Sequence, residues 1–387
     1  MESFAFFVLT TKQVFVIEFT NPSIGKPING KETLMKGCVS KKLAWLCVAV
    51  VLTWAVASTA GAQVMKPLAD GFPKRAITLI NIDDPGTRDG IYARMMQTAC
   101  KGISPVPVLV SDEPIAQGGT WMKANELKKR PGALEGYYPF VFTAFGVVTD
   151  LQVEPLTRDI NAKLSDVKMV IVTDQLPYVV IQKKNAPWGR KFEDLMKYIK
   201  AHPGELKYVS YEVGSGHDIM FEWLLSRYGV AGKVKKIPQS TMQECASVIG
   251  AGEADVSAIG VDVAYTNWQA GRIDMSLLMS EKKPAPWDKD DGATAAGEIK
   301  IPTFCSTIMS WAVNGEVPDS HVDWLYQLFT AAAKTPGFAK RWQGMIPGDI
   351  ERHMTGAAAA KMNQEIFDAM DQPLKDIGLH IDVIKRK

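Results

Sequence analysis

At 387 residues, with 47% hydrophobic and 22% charged positions, the chain has the length and composition of two globular domains. A formal net charge of +2 carries no strongly basic field, which excludes nucleic acid as the natural partner. Five cysteines without a Cys-x-x-Cys pair, and five histidines without metal-ligand spacing, argue against a zinc site; neither metal nor cofactor is expected.

The first recognisable segment is a targeting signal. Lys41-Lys42 lead into the uncharged run Leu43 to Ala57, followed by small and polar residues that end at Ala60-Gly61-Ala62. A basic start, an apolar core and an Ala-x-Ala site make a secretory signal peptide, with cleavage expected after Ala62. A membrane anchor is the alternative, but the strictly apolar core is short for the ~20 residues that a span needs. Met35-Lys36 is a natural start, so residues 1–34 are expected to lie upstream of the true start and residues 35–62 to be the signal. Export would leave Cys100, Cys245 and Cys305 in an oxidising compartment, as one disulfide at most or as buried free thiols.

The mature chain opens with the apolar run Ile77 to Ile82, a turn at Pro85-Gly86, and a helix that places Ile91, Met95 and Ala99 on one face. Thr87 or Asp89 can cap that helix. Its N-terminus points unsatisfied N–H groups and partial positive charge above the strand end, which makes an anion seat beside Arg88. An ordinary strand-to-helix turn with a surface Arg is the plainer alternative. Val106 to Val110 predicts a second strand, Trp121 to Lys129 a helix, and Tyr138 to Thr143 a third strand ending at Ala144-Phe145-Gly146. This order predicts an α/β fold with mostly parallel sheets flanked by helices.

Strands are then expected at Val167 to Thr173 and Tyr178 to Gln182, separated by Leu176-Pro177. Phe192, Leu195, Met196 and Ile199 mark a helix over 191–201 that stops at His202-Pro203-Gly204. Lys207 to Ser210, a Gly-containing turn at Val213 to Asp218, and a helix running to Tyr228 repeat the strand–turn–helix unit. A strand at Lys235 to Ile237, a helix over Met242 to Ile249 and a strand at Asp255 to Ile259 follow. Glu281 to Lys300 reads as an exposed polar connection. Ser306 to Val313 is a strand, and His321 to Ala333, Gly337 to Gln343 and Met354 to Leu379 are helical.

From about Phe72 to Leu379 the chain resembles the Bug-type solute receptors of the tripartite tricarboxylate transporters. The resemblance rests on Phe72-Pro73-Lys74-Arg75-Ala76-Ile77, on Pro85-Gly86-Thr87-Arg88-Asp89 against the family's Pro-Gly-Gly-x-x-Asp loop, and on Gln117-Gly118-Gly119-Thr120. Ala201-His202-Pro203-Gly204 through Gly214-Ser215-Gly216, then Ile237-Pro238 and Ala251-Gly252-Glu253-Ala254-Asp255, continue it in order. The resemblance implies a two-domain Venus-flytrap binding protein of type II, with chain crossings near Thr173 and Ser306. Domain I would hold residues 63–172 and 307–387, and domain II residues 173–306. It implies a periplasmic receptor that is not an enzyme, acts as a monomer, and captures a small carboxylate for the membrane permease subunits of a tripartite transporter or for a sensor.

Carried onto this sequence, the ligand-binding residues would be Asp84, Pro85, Gly86, Thr87, Arg88 and Asp89 in the first loop. Gln117, Gly118, Thr120 and Phe145 would join them, with Gly214, Ser215, Gly216 and His217 from the second loop. Thr87 or Arg88 replaces the family's second loop glycine, and Asp84 stands where a small residue is usual. Arg88 can pair internally with an Asp or receive a second carboxylate bidentately, and sequence leaves both open. Trp121, Phe145, Tyr211 and Trp268 are candidates to line a cleft, against core packing as the alternative. Two other readings are an exported hydrolase-like enzyme, suggested by Ser215-Gly216-His217 but lacking the Gly-x-Ser-x-Gly spacing, and a binding protein of another uptake class.

Overall fold

Alternation along short apolar strands sets the architecture. Ile77 and Leu79 face one buried cluster, and Ile80 and Ile82 face another on the opposite side of the sheet. Phe140 and Phe142 alternate with Val141 in the same way, so helices must cover both faces.

A computed structural model of the chain describes residues 6–10, 13–17, 64–115, 119–153, 161–345 and 350–384. It divides into two units, Met1–Gly61 and Ala62–Lys387. The described part of the first unit is an antiparallel strand pair, β1 (Phe6–Thr10) and β2 (Gln13–Ile17). The expected signal segment, residues 35–62, lies outside the described residues.

The second unit begins with β3 (Ile77–Asn81), α1 (Arg88–Ala99), β4 (Val108–Asp112), α2 (Gly119–Leu127), β5 (Phe140–Thr143) and α3 (Ala144–Asp150). The single 17-residue strand β6 (Val167–Lys183) follows. Next come α4 (Phe192–Ala201), β7 (Lys207–Tyr211), α5 (Gly216–Arg227), β8 (Lys235–Gln239), α6 (Met242–Gly250), β9 (Val256–Gly260), α7 (Val261–Gln269) and β10 (Ile273–Leu278). The short β11 (Thr294–Ala295), β12 (Ser306–Asn314), α8 (Asp319–Ala333), α9 (Pro336–Met345), β13 (Ile350–Thr355), α10 (Gly356–Asp376) and α11 (Ile381–Ile384) complete it.

The principal sheet runs β4-β3-β5-β12-β6-β9-β7-β8. Pairing is parallel within each arm, β4-β3-β5 on one side and β9-β7-β8 on the other, and antiparallel where β12 and β6 join them. β6 serves both arms. Its residues Val167 to Pro177 pair with β12, and Tyr178 to Gln182 pair with β9. Two strands were expected here, on either side of Leu176-Pro177, and a proline does remove a ladder N–H. The strand nevertheless continues through Pro177, which lies opposite Ser306 at the start of β12. Gln175 ties the crossing further, its amide donating to Ser306 Oγ at 2.7 Å.

Local sequence explains the helices. The four apolar residues of α4, Phe192, Leu195, Met196 and Ile199, are all buried, each stabilising by about 1.5–3 kcal/mol relative to exposure. Thr241 and Glu244 form a reciprocal capping box at the start of α6. Cys100, Cys245 and Cys305 are free and buried, which settles the choice left open by the sequence. The connection at 281–300 is not the wholly exposed loop expected: Trp287 is fully buried against Tyr265 and Trp268, with ring centroids 5.7 and 5.8 Å away.

Candidate functional site

The turn between β3 and α1 presents backbone donors. Thr87 caps the helix, its hydroxyl accepting from the Gly90 N–H at 3.5 Å, while its own N–H donates to the Asp84 carbonyl at 3.1 Å. The N–H groups of Arg88 and Asp89 have no acceptor among the described residues. They lie in the first helical turn, where partial positive charge concentrates. Gly90 is what lets the turn close. A Cβ there would come 2.6 Å from the Pro85 carbonyl oxygen and 2.8 Å from that of Asp84.

A cavity of about 520 Å³ opens against this turn. Asp84, Gly86, Thr87, Arg88 and Asp89 form one wall; Tyr211, Glu212, Thr241, Met242 and Asp262 form the other. The walls therefore come from the two arms of the sheet. A second cavity of about 310 Å³ adjoins it and shares Asp83, Asp89, Tyr211 and Glu212. Thr120, Thr143, Gly146 and Asp150 belong to the second cavity alone.

Arg88 is the one basic side chain among the described residues lining the larger cavity, and its side chain is 16% exposed. Its Nη1 lies 3.6 Å from Asp262 Oδ2 and its Nε 3.5 Å from Asp89 Oδ1. These are ion-pair contacts too long for good hydrogen bonds. Arg88 Nε and Asp262 Oδ1 keep no hydrogen-bond partner. Burial opposes the guanidinium charge, but Asp262 and Asp89 outweigh it and hold the Arg88 pKa above its usual value. Arg88 thus pairs internally, with Asp89 and Asp262, and the pairing leaves donor capacity unused. The indole N–H of Trp342, on the same cavity, is likewise without a partner.

Carboxylates outnumber that cation. Burial raises Asp89 to about 6, with Arg88 pulling the other way. Burial alone raises Asp150 to about 7. Glu212 is also raised by burial, against a hydrogen bond from Tyr211, and its backbone sits at φ 38° in the left-handed region. No group of three or more His, Cys, Asp or Glu side chains able to hold a metal ion occurs among the described residues.

The second anticipated loop is nearby but does not line either cavity. Ser215 caps α5 by accepting from the Asp218 N–H at 3.3 Å. The Gly214 N–H donates to Asp218 Oδ2 at 2.8 Å and the Ser215 N–H to the Glu212 carbonyl at 2.8 Å, so two of the anticipated donors are already used. A Cβ on Gly216 would stand 2.8 Å from the Tyr178 hydroxyl. His217 stacks on Tyr178 at 3.8 Å and meets Tyr211 edge-on at 5.6 Å. Burial, then Arg88, lower its pKa to about 3, so the imidazole is neutral at pH 7.

Of the other anticipated residues, Thr120 lines the smaller cavity and Pro85 is exposed in the first turn. Phe145 is instead core, buried edge-on to Tyr178 at 5.8 Å. Gln117 and Gly118 lie outside the described residues. Among the candidate aromatics only Tyr211 lines the cleft; Trp121 is buried, with its N–H donating to the Val147 carbonyl at 2.8 Å. Sequence reasoning missed Asp83, Asp150 and Glu212. Asp262, in the first turn of α7, was likewise not among the anticipated ligand-binding residues.

A family model described as tripartite tricarboxylate transporter family receptor matches residues 93–371. A UPF0065 protein of Bordetella pertussis is 24% identical over 219 residues, covering 56% of this chain and 64% of that protein. The chain thus spans just under two thirds of that relative's length. A TctC solute-binding protein from Polaromonas superposes with a TM-score of 0.64 at 18% identity, over 79% of this chain and 99% of the other. An R. palustris protein solved with adipate gives 0.63 at 17% identity, over 80% and 99%. These structures establish a shared periplasmic binding protein fold. Among the described residues no helix is long and apolar enough to cross a membrane.

Proposed function

The chain belongs to the tripartite tricarboxylate transporter receptor family, and from that premise we propose that it captures a small organic carboxylate in the Arg88 cleft. It would then deliver that solute to the membrane subunits of a tripartite transporter. The observation that carries this reading is the combination of Arg88, whose Nε makes no hydrogen bond, and the unused N–H groups at the start of α1. Together they offer charge and directed donors to a carboxylate group. Adipate in the R. palustris neighbour is in keeping with such a ligand.

The two arms of the sheet would act as two domains, residues 63–172 with 307–387, and residues 173–306. Hinge motion about the crossing strands β6 and β12 would open and close the cleft between them. The protein would work as a periplasmic monomer after removal of the signal segment, with capture and release in place of catalysis. In the run Ser215-Gly216-His217 that suggested a hydrolase, the Ser215 hydroxyl donates to the Tyr211 carbonyl at 2.6 Å and the His217 ring stacks on Tyr178.

A thermal-shift panel of mono-, di- and tricarboxylates, sugars and amines tests the reading, because a ligand of the native state raises its melting temperature. Stabilisation by at least one carboxylate is expected. Stabilisation by sugars or simple amines alone would overturn it.

A further inference from the structure

The smaller cavity shares Asp83, Asp89 and Glu212 with the larger one and differs in gaining Asp150 and lacking Arg88. Its described lining carries four carboxylates, Asp83, Asp89, Asp150 and Glu212, and no basic side chain. Thr120 and Thr143 add hydroxyls. Asp150 is the telling residue. It ends α3, is 6% exposed, and has no hydrogen-bond or ion-pair partner among the described residues. A buried carboxylate without a partner is costly, so proteins pair it, coordinate a metal with it, or leave it protonated. Among the described residues no set of side chains forms a metal cage. Burial leaves Asp150 protonated about half the time near pH 7. A positively charged, hydrogen-donating group entering this cavity would ionise it and supply the missing partner.

The two cavities are contiguous through Asp83, Asp89, Tyr211 and Glu212. One end offers Arg88 and backbone donors; the other offers carboxylates and hydroxyls, with no basic side chain among its described lining. We propose that the ligand is an amino-carboxylate, its acid group on Arg88 and its ammonium group in the pocket floored by Asp150. The amine and acid occupy different cavities, so a short chain separates them. This inference rests on the carboxylate-receptor reading and narrows it. A plain dicarboxylate would place its second negative charge among four carboxylates, an arrangement that costs affinity.

The test is calorimetric titration of the mature protein with four probes of equal chain length: δ-aminovalerate, glutarate, valerate and pentylamine. δ-Aminovalerate should bind at least about tenfold tighter than each of the others. Asp150→Asn should bring δ-aminovalerate to within about threefold of valerate. Asn keeps the shape of Asp and removes its charge, and the wild-type series alone already decides the preference. Glutarate or valerate binding as tightly as δ-aminovalerate would overturn the inference and leave the carboxylate receptor standing. Pentylamine matching δ-aminovalerate would overturn it through loss of the carboxylate contact itself. An Asp150→Asn variant that keeps the full preference would remove Asp150 from the proposal and overturn it.

Discussion

The Nη1 of Arg88 lies 3.6 Å from Oδ2 of Asp262, across the cleft between the first turns of α1 and α7. The contact leaves each side chain incompletely satisfied, since Arg88 Nε and Asp262 Oδ1 make no hydrogen bond. Asp262 therefore acts as a competitor for the guanidinium that a ligand carboxylate must displace or share. Replacing it by Asn removes that competition and a like charge beside the incoming acid. Asp262→Asn should tighten carboxylate binding by about threefold to tenfold, read by calorimetry. Weakened binding would mean that the Arg88–Asp262 contact holds the bound state together.

Asp150 makes stability depend on pH. Its pKa rises from 3.8 in the unfolded chain to about 7 in the fold. A raised acid binds more protons folded than unfolded, so its contribution to stability falls as pH rises from about 4 to about 7. The cost at higher pH is on the order of 4 kcal/mol at most. Asp150→Asn removes it. The variant should melt above the wild type near pH 8 and alongside it near pH 3.5. Equal melting at both pH values would mean that Asp150 is solvated and ordinary.

His217 works in the opposite sense. Its pKa drops from 6.5 to about 3 because burial, then Arg88, disfavour the imidazolium. The unfolded chain binds the extra proton below pH 6.5, so this group costs the fold stability as pH falls. Between pH 7 and pH 5 the loss is roughly 2 kcal/mol. His217→Gln should reduce the acid sensitivity of the melting temperature over that range, while Asp150→Asn should not.

Gly90 tests the geometry of the α1 turn. Gly90→Ala drives a methyl group to within 2.6 Å of the Pro85 carbonyl oxygen, a contact with backbone that no side-chain rotation relieves. The turn must open, displacing the N–H groups that flank Arg88. A loss of about 1–3 kcal/mol in stability and at least tenfold in carboxylate affinity is expected, measured by denaturant titration and calorimetry. Retained affinity would show that the backbone donors are dispensable.

Much of the fold was legible because its strands are short apolar runs and its helices carry punctuation. Phe192, Leu195, Met196 and Ile199 announced α4, and the Pro85-Gly86 turn announced the first wall of the cleft. What escaped had mixed local signals. Asp274 and Ser276 interrupt the apolar pattern of β10, although both are buried in the strand. α3 follows β5 without a break, and Ala144-Phe145-Gly146 reads as a strand end. That misassignment hid Asp150, which only a helix of this length carries to the second cavity. Glu212 enters the site through a left-handed backbone that its sequence neighbours do not demand. Gly214 to His217 carried a helix-start signal, but Asp218 and the Glu212 carbonyl take two of its donors.

The central claim is that Arg88 holds a carboxylate, and Arg88→Ala tests it most directly. The best carboxylate from the thermal-shift panel should be titrated calorimetrically into the wild type and the variant. Removing one partner of a desolvated charge pair should weaken binding by about thirtyfold or more while the variant remains folded. Unchanged affinity in a folded Arg88→Ala protein would contradict the account.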